Sequence, residues 1–408
     1  MNFKFKNKSG ITLIALIITI IVMLILVAVS ISVALNTGLF KSAGDATKNW
    51  KSAQDAEANV GSEIKIGDKT YSSIEEYIED TKPLPEGAGK KFTETKEYTD
   101  GTKTAVIPGG FTVSGAGTEK TIDGGLVIYL INDKTEEDIV KIDWNDEATL
   151  KHLKETYDQF VWVPVTDANK MFMCQAKTES DSGCDLKIEG NEVICQTHKT
   201  ADATKSKKMA GRLYATSLGG NFNSSLTTQT YNANSGLREP AKLTDTDSSY
   251  VNQEEEPNLD LQTEYNNAVK KVIESKGFWI GRYETSGMDS SNDDIAVIAG
   301  KGANDGINNI TWYRMYKQQQ NYASKKSLDT STIQSTMIFG AAYDQAMLFA
   351  NCAKATTPRK AFSAVITGNV ETDCYKNIYD LCGNLVEWTT EADYTDHRVY
   401  RGRHLRPQ

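Results

Sequence analysis

Phe160-Val161-Trp162-Val163-Pro164-Val165 is an uncharged run of β-branched and aromatic residues, and short runs of this composition read as β-strands. Working outward, Thr104-Ala105-Val106-Ile107-Pro108, Phe111-Thr112-Val113 and Leu126-Val127-Ile128-Tyr129-Leu130-Ile131 share its character, and several are bounded by glycine turns. Two helices are predicted among them. One spans Asn145 to Tyr157, opened by an asparagine and acids; the other spans Leu259 to Lys276, where Leu261, Tyr265, Ala268, Val272 and Ile273 trace one face. Helices with a single apolar face need a sheet to cover, so the region 101–408 reads as an α+β domain. Between Thr178 and Glu256 the chain is dominated by Ser, Thr, Asn, Asp and Lys. A long loop insertion over about 178–256 is expected there, functional or poorly ordered, rather than a second core.

The other end of the chain is built for a different solvent. From Ile11 to Leu35, 25 consecutive residues carry no charge, and roughly 20 suffice for a helix to cross a bilayer. Backbone amides in hydrocarbon must be satisfied within the segment, which favours a transmembrane helix over 11–40. Lys4, Lys6 and Lys8 precede it and belong on the cytoplasmic side, so everything after Phe40 is expected to be extracellular. A cleaved signal peptide is the competing reading, but the apolar run exceeds the roughly 7 to 15 residues of such segments, and Ala28-Val29-Ser30 is a poor cleavage site. The expected location is the cell membrane, crossed once, with membrane lipid contacted through residues 11–35. Ala43, Ala46, Trp50, Ala53, Val60 and Ile64 then recur at mostly three- and four-residue spacing, and Ser72 with Glu75 has capping-box spacing, so a helical stalk is predicted over 41–82. Lys82-Pro83-Leu84-Pro85-Glu86-Gly87-Ala88-Gly89 ends it, and the linker to the outer domain is placed at 83–100.

Charge excludes one class of partner. The net charge is -9, and the one short basic run, Lys205 to Lys208, sits in a Thr/Ala/Lys-rich stretch, so no nucleic acid is expected. The six cysteines form two groups, Cys174, Cys184 and Cys195 in one and Cys352, Cys374 and Cys382 in the other. The absence of CxxC pairs argues against a thiolate-held metal. Disulfides suit an exported chain, free thiols suit a host living without oxygen, and the connectivity is open.

Gly10 followed by Ile11-Thr12-Leu13-Ile14-Ala15, behind a short basic leader, resembles the class III leader of type IV pilins and pseudopilins. The resemblance implies a leader over 1–10, a prepilin peptidase as partner and a cut between Gly10 and Ile11. Ala15 stands where that family usually has a glutamate that pairs with a neighbouring subunit's N-terminus. The filament contact is therefore not carried over.

Five separated segments carry a second resemblance. They are Phe160 to Val165; Gly277-Phe278-Trp279-Ile280-Gly281-Arg282-Tyr283-Glu284-Thr285-Ser286; Ile310-Thr311-Trp312-Tyr313; Ala342-Tyr343-Asp344-Gln345-Ala346-Met347-Leu348-Phe349-Ala350; and Asn377-Ile378-Tyr379-Asp380-Leu381-Cys382-Gly383-Asn384-Leu385-Val386-Glu387-Trp388 with Tyr400-Arg401-Gly402 downstream. In this order they resemble the formylglycine-generating enzyme (sulfatase-modifying factor) family, which implies a C-type-lectin-like fold. Similar domains are variable targets of diversity-generating retroelements. A tight turn that exposes carbonyls beside the hard oxygens of Asp380 and Glu387 suits calcium. The resemblance implies the carboxylates of Asp380 and Glu387 and the carbonyls of Gly383 and Leu385 as its ligands. The copper-holding cysteine pair of that family would follow Arg401-Gly402-Arg403, where this chain reads His404-Leu405-Arg406-Pro407-Gln408. Catalytic residues are accordingly expected to be none, and the domain to be C-terminally truncated. The expected function is non-catalytic binding of an unidentified extracellular ligand, with a minor pilin and a copper-dependent formylglycine-generating enzyme as alternatives.

Overall fold

The computed structural model describes residues 20–23, 64–66, 69–71, 86–176, 183–211, 237–239, 259–287, 294–299, 311–351, 367, 374–381, 387–393 and 397–401. Contacts divide the chain into two units, 1–82 and 83–408. In the first, residues 20–23 are helical, and Ile20, Ile21, Val22 and Met23 are exposed. Among the described residues no helix is long and apolar enough to cross a membrane. The rest of the predicted span, with Gly10 and Ile11, lies outside the described residues. Strands β1 (Ile64–Ile66) and β2 (Lys69–Tyr71) form an antiparallel hairpin with Ile66 opposite Lys69. The helical stalk predicted through Ile64 is thus a hairpin there. Alternation in Ile64-Lys65-Ile66 and a glycine-led two-residue spacing, Gly67-Asp68, outweigh the loose helical period.

The second unit is mixed α and β. It opens with the hairpin β3 (Lys96–Asp100) and β4 (Lys103–Ile107), then β5 (Thr112–Val113) and β6 (Val127–Tyr129). Helices α1 (Glu136–Val140) and α2 (Glu147–Thr156) follow, capped by the side chains of Thr135 and Asp146. Strand β7 (Gln159–Pro164) is the predicted apolar run, and it sits inside an antiparallel sheet of order β13-β7-β6-β5 whose last member, β13, is Gly277–Gly281.

That sheet is covered on both faces, which is why its strands lack polar alternation. Val127, Tyr129, Val161 and Val163 point to one core with Leu153 of α2; Ile128, Trp162 and Trp279 point to another with Tyr98, Ala105 and Ile107 of the β3–β4 hairpin. Trp162 and Trp279 are opposite each other across the strands, ring centroids 5.1 Å apart, and Trp279 Nε1 donates to the Val106 carbonyl at 2.9 Å.

Beyond β7 come α3 (Ala168–Met171), β8 (Phe172–Cys174), β9 (Leu186–Glu189), β10 (Glu192–Cys195), β11 (Met209–Gly211) and β12 (Leu237–Arg238). Helix α4 (Leu261–Ser275) starts where the Asp260 side chain accepts from Thr263 N and ends at Lys276 in the left-handed region, φ 58°. Its buried face is Leu261, Tyr265, Ala268, Val269 and Val272. After β13 lie α5 (Trp312–Gln320), α6 (Tyr322–Lys325) and α7 (Gly340–Ala350), then β14 (Cys374–Tyr375), β15 (Ile378–Tyr379), β16 (Glu387–Asp393) and β17 (His397–Arg401). The last two pair with each other, and β12 adds to β16, with β17 at the edge.

Candidate metal centre

Two groups of side chains have ligand chemistry, one expected and one not. At the expected carboxylate site, Asp380 is buried, takes φ 62° and accepts from Thr367 Oγ1 at 2.8 Å. Glu387 begins β16, and its Oε2 is sealed from solvent with no hydrogen-bond partner. Burial first, and then the negative charges of Glu284 and Asp380, push the Glu387 carboxyl well above the usual carboxylate range. Glu284 and Asp380 therefore lie within electrostatic reach of Glu387, although among the described residues the oxygens of the three are not gathered into a metal-holding group. Glu284 was not among the expected ligands, and Gly383 and Leu385 lie outside the described residues.

The unexpected site is in the predicted loop insertion. From 183 to 211 that stretch is a folded layer: β9 and β10 form a hairpin, and β11 pairs with β8, Met209 opposite Cys174. Glu189 pairs with Glu192, so Gly190-Asn191 is a two-residue turn, with Gly190 at φ 61° in the first central position, where such loops take glycine. Lys199 to Glu189 at 2.7 Å and Lys207 to Glu192 at 2.7 Å tie the outside of the hairpin to the segment that follows. Inside it, Leu186, Val193 and Met209 join Phe172 and the α4 residues Tyr265, Val269 and Val272 in one core.

Where the strand ends meet, Cys174, Cys184, Cys195 and His198 converge, all buried, their ligand atoms within 4.8 Å of one another. His198 Nδ1 lies 3.3 Å from Cys174 Sγ, 3.9 Å from Cys184 Sγ and 3.2 Å from Cys195 Sγ. Each ligand has a different source: the end of β8, the approach to β9, the end of β10 and the turn after it. Backbone bonds fix those sources, with Gln196 N donating to the Asp185 carbonyl at 2.8 Å, Gln175 N to the Lys208 carbonyl at 2.8 Å, and Ala201 N and Asp202 N to the His198 carbonyl. Asp185 N donates to Thr197 Oγ1 at 3.1 Å and Leu186 N to Asn169 Oδ1 at 2.9 Å. The Cys174 thiol is pushed far above its usual range, first by hydrogen bonding with Cys184, then by burial. Cys174, Cys184, Cys195 and Cys374 are thiols outside any disulfide.

Chemically this is a soft donor set, three sulfurs and one imidazole nitrogen, suited to zinc or another thiophilic ion and not to calcium. The cluster contains no CxxC pair because its cysteines come from three separate places in the chain. One signal was present: Cys195-Gln196-Thr197-His198 is a Cys-x2-His step, equivalent in reach to the missing pair.

Compared with protein-family models, with curated proteins and with solved structures, the chain gives no match.

Proposed function

We propose that this chain is a cell-surface binding protein held by one membrane helix, with an outward, non-catalytic head similar in fold to the formylglycine-generating-enzyme and C-type-lectin-like domains and in role to retroelement-diversified targets. The observation that carries it is that the five separated motif segments meet. Phe160 to Pro164 lies beside Gly277 to Gly281, with Trp162 opposite Trp279. Tyr379 N donates to the Arg282 carbonyl at 2.9 Å, and Tyr283 stacks on Tyr379 at 5.0 Å. Trp312 shares one core with Trp388, and the Tyr343 hydroxyl donates to the Leu381 carbonyl. The clustered thiols favour structure over turnover, since each is at most 8% exposed. The anchor is supported by 25 uncharged residues and by the exposed apolar Ile20 to Met23. Protease applied to intact cells is expected to release the head, and mass spectrometry of the mature chain is expected to find Ile11 at its N-terminus. Recovery of the whole protein from the cytosol, protected from that protease, overturns the proposal.

Calcium at the carboxylate site belongs to the same proposal, and the sealed Glu387 Oε2, without a hydrogen-bond partner and within electrostatic reach of Glu284 and Asp380, supports it. A cation there would replace mutual repulsion with attraction. Tenfold excess of calcium over its dissociation constant is expected to stabilise the head by about 1.4 kcal/mol. Thermal unfolding in calcium and in chelator measures this, and the difference should vanish in Glu387→Gln. Equal midpoints in the wild-type chain would remove calcium from the proposal.

A further inference from the structure

We propose that Cys174, Cys184, Cys195 and His198 bind one zinc ion as a closed structural clamp that holds β8 and the layer 183–211 together. This goes beyond surface display, and neither depends on the other.

Geometry is the first ground. Zinc bonds of roughly 2.3 Å to sulfur and 2.0 to 2.1 Å to nitrogen place sulfur and nitrogen about 3.6 Å apart along a tetrahedron's edge. The three sulfur-to-nitrogen distances here, 3.3, 3.9 and 3.2 Å, bracket that edge, so one ion at the centre meets all four atoms with small side-chain adjustments. Chance rarely brings three thiols and an imidazole together in an interior. Each ligand is at most 8% exposed.

Composition is the second ground. The segment supplies few large apolar residues, and a small layer that cannot bury enough of them commonly uses a metal instead. Here the cluster joins β8, the β9 approach, β10 and the turn after it, four places that no single secondary-structure ladder connects. Soft sulfur ligands select zinc, copper(I) or iron over calcium and magnesium, and tetrahedral coordination by three sulfurs and one nitrogen, with no open position, is the structural zinc pattern. Binding converts three thiols to thiolates and releases their protons to solvent, with the imidazole neutral.

The test uses the full chain, purified in detergent with reductant and without added metal. Elemental analysis is expected to find about one zinc per chain. His198→Cys should keep it, Cys374→Ser should keep it, and Cys195→Ser or His198→Ala should lower zinc content at least tenfold. Because Cys195→Ser can fail to fold, the wild-type chain carries a second arm. Stripping zinc with a strong chelator should raise alkylation rates of Cys174, Cys184 and Cys195 at least a hundredfold and speed amide exchange in Leu186 to Cys195, while Gln159 to Val163 stays protected. A folded wild-type chain without zinc overturns the proposal, as does iron with acid-labile sulfide. A disulfide among the three cysteines overturns it too, as does chelation that leaves alkylation and exchange unchanged.

Discussion

Arg282→Met is expected to destabilise the head by about 3 to 5 kcal/mol, the usual cost of stripping one partner from a buried ion pair. Arg282 follows the last residue of β13 and is 1% exposed. Its Nη2 donates to Glu119 Oε1 at 2.7 Å, and its Nη1 donates to Tyr129 Oη and Gln159 Oε1, both at 3.2 Å. The guanidinium also lies over the rings of Tyr283 and Tyr379, 5.5 and 5.7 Å from their centroids. Burial opposes ionisation of Glu119, but Arg282, helped by Lys154 and Ser114, holds its carboxyl down at about 2. Methionine fills similar volume and leaves Glu119 charged in the interior, with Lys154 Nζ at 3.5 Å as its remaining cation. Pairing the change with Glu119→Gln should recover most of the loss, since no charge is then stranded. Urea unfolding of the three variants measures both effects. A loss under 1 kcal/mol for Arg282→Met, or no recovery in the double variant, would show that the pair does not support the sheet.

How far the sequence reveals this depends on the range of the interaction involved. The strands around Phe160 and Leu126 and the helices near 145–157 and 259–276 were legible because local apolar runs and one-sided periodicity report burial directly. Observed ends at Gln159–Pro164 and Leu261–Ser275 fall within two residues of the expectation. The hairpin at Ile64–Tyr71 was missed because three-residue strands give a helical and an alternating pattern almost equal support. The layer 183–211 was missed for a different reason. Its stability does not come from apolar side chains alone, so a reading based on hydropathy finds too little core and assigns loop. Ligands on different strands have no fixed spacing in sequence, and only the Cys195–His198 step, closed within one turn, left a local trace. The charge of Glu284 acting on Glu387 is likewise a product of the fold, since 103 positions separate the two in the chain.

The stability of the head should fall as pH rises from about 4.5 to about 8, and Glu239→Gln should flatten much of that slope. Glu239 follows β12 and is fully enclosed. Its carboxylate meets the start of α7, accepting from Gly340 N and from Ala341 N at 2.9 Å, and from the Tyr265 hydroxyl at 3.1 Å. Those donors and the positive helix end favour the charged form. Burial, and then the charge of Glu391, outweigh them and push the Glu239 carboxyl up to about 8. Glu391 is itself held by Arg401, whose Nε donates at 2.7 Å, and Arg401 lies 4.0 Å from Asp344. The space is too full for rearrangement, because a Cβ on Gly340 would lie 2.0 Å from Glu391 Cδ and one on Gly211 the same distance from Glu239 Oε2. Between the two values the folded chain keeps a proton that the unfolded chain has lost, so rising pH favours unfolding. Each tenfold change in proton affinity is worth about 1.4 kcal/mol, which makes the total a few kcal/mol. Above about 8 both states are ionised at this position and its contribution stops changing. Glutamine does not titrate, and whatever fixed penalty its amide incurs against the α7 amides shifts the whole curve without tilting it. The slope that remains in Glu239→Gln has the same sign and belongs to Glu387, raised by its own burial and by Glu284 and Asp380. Urea midpoints at half-unit steps between pH 4.5 and 8.5 decide the matter. Parallel curves for the wild-type and variant chains would mean that Glu239 is ionised in the folded head and that the α7 amides, not Glu391, set its charge.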